Sequence, residues 1–282
     1  MKYRLAEESL VRPAFDVSVP HPARVWNYWL GGKDHFAADR AAGQAAVQAM
    51  PLMPVITRVM RRFARSAVRE LAGDGIHQFL DIGMGLPVGD DSTHEVAQRV
   101  APDARVVYVD NDPVAVSHAR ALMVGRGTGM TDCLDADLRD TREILDGAAR
   151  ALDFGRPIAV LLSAVLEFIP DADDPWAVVA RLRDALAPGS YVLVAHLASD
   201  IEAEAVAEMA DGYSERAAIP ITPRSRSQVV RFFDGMTMAG PGVVPATGWY
   251  GPDDGVDVLP AYFGLGVKRD LPKSGACNGR PH

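Results

Sequence analysis

Two short apolar segments, each ending in acidic residues, constrain the fold of this chain more than any other feature. Residues 78–82 form a predicted buried β-strand that runs into a turn containing Gly83 and Gly85. Residues 106–109 form a second predicted strand, and Asp110 follows it. In doubly wound α/β folds, a glycine turn after the first strand lets the backbone approach a ligand, and an acid after the second strand can hold a ribose diol. The two segments therefore predict a nucleoside-binding crevice at the carboxyl ends of parallel strands.

The glycine pattern indicates which nucleoside the crevice binds. A dinucleotide fingerprint needs a third glycine three positions after Gly85, where this chain has Val88, and a helix N-terminus that holds pyrophosphate. Asp90 and Asp91 follow, and their carboxylates would repel a phosphate group. S-adenosylmethionine has no phosphate and carries a sulfonium cation, so the pattern favours this ligand over NAD. The short glycine motif alone would also fit an ordinary junction between a strand and a helix.

The rest of the chain alternates between predicted strands and helices, which is typical of a doubly wound α/β fold. Strands are predicted at residues 78–82, 106–109, 131–136, 157–163, 191–196, 243–246 and 261–267. Helices are predicted at residues 24–30, 37–49, 55–71, 94–100, 113–123, 138–151, 176–186, 202–215 and 226–234. The predicted organisation is a helical cap at residues 1–75, a nucleotide-binding domain at residues 76–268 and a disordered polar tail at residues 269–282.

An N-terminal signature connects this chain to a known family. Residues 28–40, YWLGGKDHFAADR, are similar to the signature YDYLLGGKDNFAADR of the DUF574 family of S-adenosylmethionine-dependent methyltransferases. Further blocks of the family pattern lie at residues 79–87, 94–98, 102–113, 136–140, 181–190 and 222–226. Because these blocks extend over nearly the whole chain, the chain is identified as a member of this family.

The resemblance implies a fold, an activity and a cofactor. The fold is a Rossmann-like, seven-stranded methyltransferase sheet with its last strand antiparallel and an N-terminal helical cap. The activity is methyl transfer from S-adenosylmethionine, and we expect a small-molecule acceptor with an O, N or C nucleophile. The residues expected to bind the cofactor are Tyr28, Gly31, Lys33, Asp81, Gly83, Gly85, Asp110, Asn111, Asp137, Leu138 and Ser163.

The expected cofactor contacts follow from the chemistry of the side chains. Asp81 is expected to bind the methionine ammonium group, although an acid at this position can also cap the following turn. Asp110 is expected to accept both ribose hydroxyls, since an ionised carboxylate takes two hydrogen bonds at once. The glycines at 31 and 32 are expected to let the cap close and bring Lys33 or Tyr28 to the cofactor, Lys33 to its carboxylate. A surface salt bridge is the alternative role of Lys33. The residues expected beside the adenine are Asn111, Asp137 and Leu138.

The ends of predicted strands four and five carry the candidate catalytic residues. Ser163 ends strand four below the expected methyl position, and Glu167 follows where the family pattern often has histidine. His196 ends strand five and could deprotonate an acceptor at neutral pH, or it could be a satisfied strand-end histidine. Since the sulfonium already activates the methyl carbon, alignment of the nucleophile and exclusion of water matter more than a base.

Composition limits the classes of partner. The net charge of −8 argues against a nucleic-acid partner, and the arginines at positions 58, 61, 62, 65 and 69 are expected to form a solvated helix face. Only Cys133 and Cys277 occur, so neither a disulfide framework nor a metal site is predicted. No apolar run approaches the length of a membrane span, and the opening segment carries acids where an export signal is apolar. We therefore expect a cytoplasmic protein without nucleic-acid or membrane partners, of open oligomeric state.

Three functions are compatible with the sequence. The first is a methyltransferase acting on a small molecule. The second is an enzyme that consumes the cofactor itself by cyclisation or alkyl transfer and releases methylthioadenosine, an alternative raised by Glu167. The third is a regulatory protein that binds S-adenosylmethionine without turnover.

Overall fold

A seven-stranded sheet forms the centre of the protein. The computed structural model describes residues 16–89, 91–122, 128–250 and 258–269. The strands are β1 (Gln78–Ile82), β2 (Arg105–Asp110), β3 (Thr131–Asp135), β4 (Ala159–Ser163), β5 (Tyr191–Leu197), β6 (Thr237–Pro245) and β7 (Ala261–Val267). Their order is β3-β2-β1-β4-β5-β7-β6, with β1 to β5 parallel and β7 antiparallel to both of its neighbours. The predicted doubly wound sheet with an antiparallel last strand is therefore confirmed.

Helices precede the sheet as a cap and then alternate with its strands. The cap helices are α1 (Pro22–Trp29), α2 (Ala37–Ala49) and α3 (Met53–Gly73). The later helices are α4 (Thr93–Val100), α5 (Pro113–Leu122), α6 (Thr141–Ala148), α7 (Pro175–Ala185), α8 (Ala203–Ser214), α9 (Arg226–Val230) and α10 (Ala246–Tyr250). Short 3₁₀ turns lie at Leu166–Phe168, Asp171–Asp173 and Arg231–Phe233. Within the described residues, no helix has both the length and the apolar character needed to cross a bilayer.

Strand β6 differs most from the sequence prediction. It begins at Thr237, not near residue 243, and its pairing with β7 shifts register between Ala239 and Val244. Gly240 and Gly242 in this bulge have φ values of 60° and 84°. The Gly-Pro-Gly sequence at residues 240–242 interrupts the alternation of a strand, but an edge strand tolerates proline and accommodates a bulge. Predictions for residues 1–15, 90, 123 and 270–282 lie outside the described residues.

The cap helices share a hydrophobic core with the sheet. Phe79 of β1 packs in the same buried cluster as Trp29 of α1, whereas its neighbour Leu80 belongs to the cluster on the opposite face. Phe63 of α3 stacks on Phe263 of β7, with ring centroids 4.3 Å apart. The alternation of side chains along a strand thus directs one face of the sheet towards the cap.

Buried ionic contacts attach helix α1 to the end of strand β2. Asp39 is fully buried and accepts hydrogen bonds from the backbone N–H groups of His21 (3.0 Å) and Phe36 (2.7 Å). The Arg24 guanidinium lies 3.7 Å from Asp39 and 3.1 Å from Asp112, and His21 Nδ1 lies 3.2 Å from the same Asp112 oxygen. Buried charges are tolerated when they are paired in this way. We call these residues the cap clamp: His21, Arg24, Asp39 and Asp112.

Replacing Asp39 with alanine is expected to destabilise the protein strongly. The change leaves the backbone N–H groups of His21 and Phe36 without this acceptor and removes one carboxylate from Arg24. Breaking a buried ion pair costs about 3–5 kcal/mol, which corresponds to a fall in Tm of roughly 10 °C. Thermal unfolding measures the effect, with Glu208→Ala on the exposed face of α8 as the control. Equal Tm values for the two variants would contradict a supporting role of the cap clamp.

Candidate functional site

A cavity of about 850 Å³ lies at the carboxyl ends of the parallel strands. Its wall includes the turns that follow β1, β2, β3 and β4, and helix α1 covers one side. Ala23, Asn27 and Leu30 line it from α1 and its end, and their spacing places them on one helical face. The strand order reverses between β1 and β4, which is where ligands bind in open α/β sheets.

The glycine turn after β1 is fixed by close packing and by hydrogen bonds. Gly83 has a φ of 74°, and a Cβ atom there would lie 2.5 Å from a methyl carbon of Val165. Its N–H donates to Val109 O at 2.8 Å, and the N–H of Gly85 donates to a carboxylate oxygen of Asp110 at 2.9 Å. Glycine is therefore required at position 83, because any side chain would collide with the turn after β4.

Asp110 links the glycine turn to the start of helix α5. One of its oxygens accepts from Gly85, and the other accepts from the N–H of Asp112 at 2.9 Å. Burial raises the pKa of Asp110, and the backbone hydrogen bonds from Asp112 and Gly85 act in the opposite direction. Each carboxylate oxygen keeps a lone pair for a further donor. The side chain lines the cavity, in the position expected for binding a ribose.

A network of polar side chains lies at the end of β3. The amide of Asn111 donates to Asp137 at 3.0 Å, and Arg139 pairs with both Asp137 and Asp173. The hydrogen bonds from Arg139 lower the pKa of Asp137, so this carboxylate is ionised. All three cavity-lining members of this network, Asn111, Asp137 and Arg139, stand beside Leu138 in the wall. The structure thus brings together the residues expected around the adenine.

Asp81 contributes a carboxylate to the cavity wall. Its Oδ2 accepts a hydrogen bond from the Thr93 hydroxyl of helix α4 at 2.6 Å, and its Oδ1 accepts none from the described residues. Burial raises the pKa of Asp81 to about 6, although Thr93 and the Arg61 guanidinium lower it. Asp81 therefore contacts the start of the next helix and still has one oxygen for a ligand, so both roles considered for it are compatible with the structure.

The glycine-rich signature has a different position from the one expected. Tyr28, Gly31 and Lys33 do not line the cavity, and Lys33 is exposed. Gly31 has a φ of 78° and its N–H donates to Tyr28 O at 3.0 Å, so it ends helix α1 in the left-handed conformation typical of helix C-termini. The ring of Tyr28 packs against His35 at a centroid distance of 5.3 Å.

Asn27 is the residue through which the signature reaches the cavity. Its Oδ1 accepts the N–H of Asp34 at 3.0 Å, which fixes the orientation of the amide. A Cβ atom on Gly32 would lie 2.3 Å from Asn27 Nδ2, so Gly32 makes room for this side chain. Asn27 is only 1% exposed and lines the cavity, and its Nδ2 has no hydrogen-bond partner among the described residues. No pattern in the sequence distinguishes Asn27, because its role depends on this packing.

His196 and Glu167, the two candidate catalytic residues, lie behind the cavity wall. Both are fully buried and neither lines the cavity. His196 Nδ1 lies 2.9 Å from Leu197 O, and its Nε2 lies 2.9 Å from an Arg224 nitrogen. Burial, together with Arg224, lowers the pKa of His196 to about 3, so the ring is neutral and its acceptor nitrogen is occupied. This arrangement corresponds to the satisfied strand-end histidine considered as the alternative.

Glu167 differs from His196 because its carboxyl oxygens lack partners. Neither oxygen is hydrogen-bonded to any described residue. Burial raises the pKa of Glu167 to about 8, although Arg224 lowers it. Ser163, by contrast, lines the cavity at the end of β4, as do Val165 and Phe168 of the following turn.

Two arginines of helix α3 also line the cavity, although they were expected on a solvated face. Arg65 donates to Asp91 O at 3.0 Å and pairs with the Asp91 carboxylate, while Arg61 donates to Val88 O at 3.2 Å. Arg65 therefore compensates the charge of Asp91, so the Asp91 carboxylate repels a phosphate group less than expected. The signal in the sequence was their i, i+4 spacing, which places both on one helical face beside Ala64.

Replacing Glu167 with glutamine is expected to stabilise the protein at high pH only. The folded-state pKa of about 8 exceeds the ordinary value of 4.5, so the folded protein binds the proton more tightly than the unfolded chain. The contribution of Glu167 to the free energy of unfolding is therefore fully present below pH 4.5 and is lost as pH rises through 8. At about pH 9 the variant should melt several degrees above the parent protein, at roughly 2–4 °C per kcal/mol, and near pH 5 the two should agree. Exposed Glu208→Gln is the control, and a gain independent of pH would contradict the argument.

Comparisons with known proteins agree with the fold. The family model described as S-adenosyl methyltransferase matches residues 8–268. A crystal structure of a DUF574 family protein from Streptomyces avermitilis is 35% identical, with a TM-score of 0.85 over 90% of this chain and 99% of that one. A Thermobifida fusca protein provisionally named a methyltransferase is 38% identical, with a TM-score of 0.82 over 93% of this chain and 100% of that one.

More distant similarity extends to other methyltransferase folds. An O-methyltransferase family protein from Burkholderia thailandensis is 12% identical, with a TM-score of 0.51 over 86% of this chain and 64% of that one, and supports the fold alone. No curated protein matches the chain. The family model and the two relatives with more than a third of their residues identical decide the assignment: the chain belongs to the DUF574 family of S-adenosyl methyltransferases, whose cofactor is S-adenosylmethionine.

Proposed function

We propose that this protein transfers the methyl group of S-adenosylmethionine to an apolar small molecule bound in the same cavity. The observation that carries the proposal is the cavity of about 850 Å³ covered by helix α1. Small-molecule sites have volumes of roughly 300–1,000 Å³, so this one has room for a cofactor and a small acceptor together. A macromolecular acceptor would need a more open approach than the cap helix leaves.

The residues around the cavity are compatible with an adenosyl cofactor that carries an amino-acid end. Asp110 has lone pairs for ribose hydroxyls, and Asp81 has a free oxygen for an ammonium group. A pyrophosphate has no comparable site, because Ser92 and Glu95 already form a capping box at the start of α4. When bound, S-adenosylmethionine supplies a methyl group that is already activated.

The part of the cavity near the end of β4 is suited to the acceptor. Trp26 and Phe168 meet edge to face there, with centroids 6.2 Å apart, and Ile219 adds a further apolar surface. The segment with Ile219 is held to the 3₁₀ turn after β4 by a 2.7 Å hydrogen bond from Thr222 N to Glu167 O. Polar contacts from the Asn27 amide and the Ser163 hydroxyl would orient the acceptor.

The protein contributes alignment and exclusion of water more than acid–base chemistry. His196 and Glu167 lie outside the cavity, so neither reaches an acceptor in this arrangement. The site therefore favours an acceptor whose nucleophilic atom is unprotonated at neutral pH. Holding such an atom in line with the methyl group removes most of the entropic barrier, and the cap helix keeps water out.

Product analysis tests the proposal. The protein is incubated with S-adenosylmethionine and a library of apolar small molecules, and adenosylhomocysteine and methylthioadenosine are quantified by mass spectrometry. We expect adenosylhomocysteine to form in proportion to a methylated acceptor. Methylthioadenosine as the main product would favour consumption of the cofactor itself, and tight binding of adenosylhomocysteine without turnover would favour a regulatory protein.

A matched pair of variants tests whether the acceptor binds in this part of the cavity. Ile219→Asp introduces a charge into the proposed acceptor wall and should lower kcat/KM for the acceptor at least tenfold, because an apolar ligand cannot solvate it. The exposed neighbour Ala218→Asp should leave turnover unchanged. Both variants should bind adenosylhomocysteine normally. A loss of that binding in Ile219→Asp would contradict the assignment of Ile219 to the acceptor site.

Cofactor affinity is expected to fall below about pH 6. An ammonium group bound at Asp81 favours the ionised carboxylate and lowers its pKa from the value of about 6 in the free protein. Affinity for adenosylhomocysteine is therefore complete above that pH and falls by up to about tenfold per unit below it. Calorimetry from about pH 5 to pH 8 measures the slope. Asp81→Asn should bind adenosylhomocysteine more weakly, and its affinity should not change with pH in this way. The same pH dependence in the variant would assign the titration to another group.

A further inference from the structure

Arg61 is a cation of the cavity wall with most of its donors unused. Its guanidinium has five N–H groups, of which one donates to Val88 O at 3.2 Å. Across the described ranges, no carboxylate lies within ion-pair distance of it. The side chain is half-buried and burial lowers its pKa, while the charges of Asp91 and Asp81 raise it. Arg61 is thus held close to acids without pairing with any of them.

Two other arginines of the cavity wall, Arg65 and Arg139, differ from Arg61 in this respect, and a third, Arg99, is exposed and donates from Nε to Glu95 O at 3.0 Å. Arg65 forms an ion pair with Asp91 and also donates to its backbone carbonyl. Arg139 forms ion pairs with Asp137 and Asp173. These two guanidinium groups are occupied by the protein itself, so they hold the walls of the cavity in place. Arg61 remains available for a ligand anion.

Asp81 provides the opposite charge in the same region. Arg61 acts electrostatically on the Asp81 carboxylate, yet the two side chains form no direct ion pair in the described structure. One oxygen of Asp81 has no donor. A cation and an anion that line the same cavity without meeting are suited to a zwitterion, whose two charged groups can pair with both.

We propose that Arg61 binds the carboxylate at the amino-acid end of S-adenosylmethionine, beside Asp81, which binds the ammonium group. The inference rests on the cofactor site described above. It assigns binding of the cofactor carboxylate to a residue of helix α3. Lys33, which the sequence suggested for this role, is exposed in the loop after α1 and does not line the cavity. The planar guanidinium can bind the carboxylate through two parallel hydrogen bonds, which an ammonium group cannot do.

The test combines removal of the side chain with removal of the ligand carboxylate. Calorimetry compares adenosylhomocysteine with decarboxylated adenosylhomocysteine, which keeps the adenosine and the ammonium group. The parent protein should bind adenosylhomocysteine at least tenfold more tightly than the decarboxylated compound. In Arg61→Met this preference should disappear, because adenosylhomocysteine loses affinity and the decarboxylated compound does not.

Two control variants separate ligand binding from support of the cavity wall. Arg58→Met removes an exposed arginine one turn earlier on α3 and should keep the full preference. Arg65→Met breaks the contact with Asp91 and should weaken both ligands equally or not at all. Arg61→Lys keeps the positive charge but lacks the paired N–H donors of a guanidinium. It should restore part of the preference for adenosylhomocysteine.

The outcomes distinguish the inference from the proposed function. Equal binding of the two ligands by the parent protein would overturn the inference even if Arg61→Met did not fold, since no residue would then bind the carboxylate. Equal weakening of both ligands in Arg61→Met would assign Arg61 to holding the loop at Val88. Failure of the parent protein to bind adenosylhomocysteine would overturn the cofactor site as a whole. None of these measurements needs the methyl acceptor.

Discussion

The cavity depends on the cap clamp, which ties helix α1 to the end of strand β2. Asp112 of the clamp follows Asp110 by two residues, and Asp110 in turn accepts the N–H of Gly85. The cap, Asp110 and the glycine turn are therefore joined through one short segment of backbone. Because the clamp is largely buried and its charges are paired, it holds helix α1 over the cavity.

Burial has opposite consequences for the acids near the cavity. Asp81 and Asp110 are buried in the wall, where hydrogen bonds and nearby cations support the charged form and a ligand can complete the pairing. Glu167 is buried behind the wall with no partner, so burial favours its neutral form. Burial raises the free-energy cost of ionising each of these acids. A ligand can offset that cost only for the acids that face the cavity. This difference separates the residues suited to binding from those that shape the wall.

The residues of the site that could be predicted are those at or just after the ends of strands. Gly83, Gly85 and Asp110 lie where the sequence analysis expected them, because a parallel strand brings its last residue to the carboxyl edge whatever covers the sheet. Asn111 follows the same rule just after β2, and Asp137 follows it just after β3. The edge strand β6 was harder, since a bulge at Gly-Pro-Gly breaks the alternation from which a strand is recognised.

The order of the elements, the family and the cofactor can be read from the amino-acid sequence, because they depend on local spacing and on the types of residue at strand ends. Which cap residues reach the cavity depends on the tertiary packing. Asn27 and Arg61 line it and Lys33 does not, since the rotation of α1 and α3 about their axes is set by packing against the sheet and by the cap clamp. The burial of His196 and Glu167 was equally invisible in the sequence. A strand-end residue is placed by its own strand, but what covers it comes from segments distant in the chain, such as Arg224 over His196.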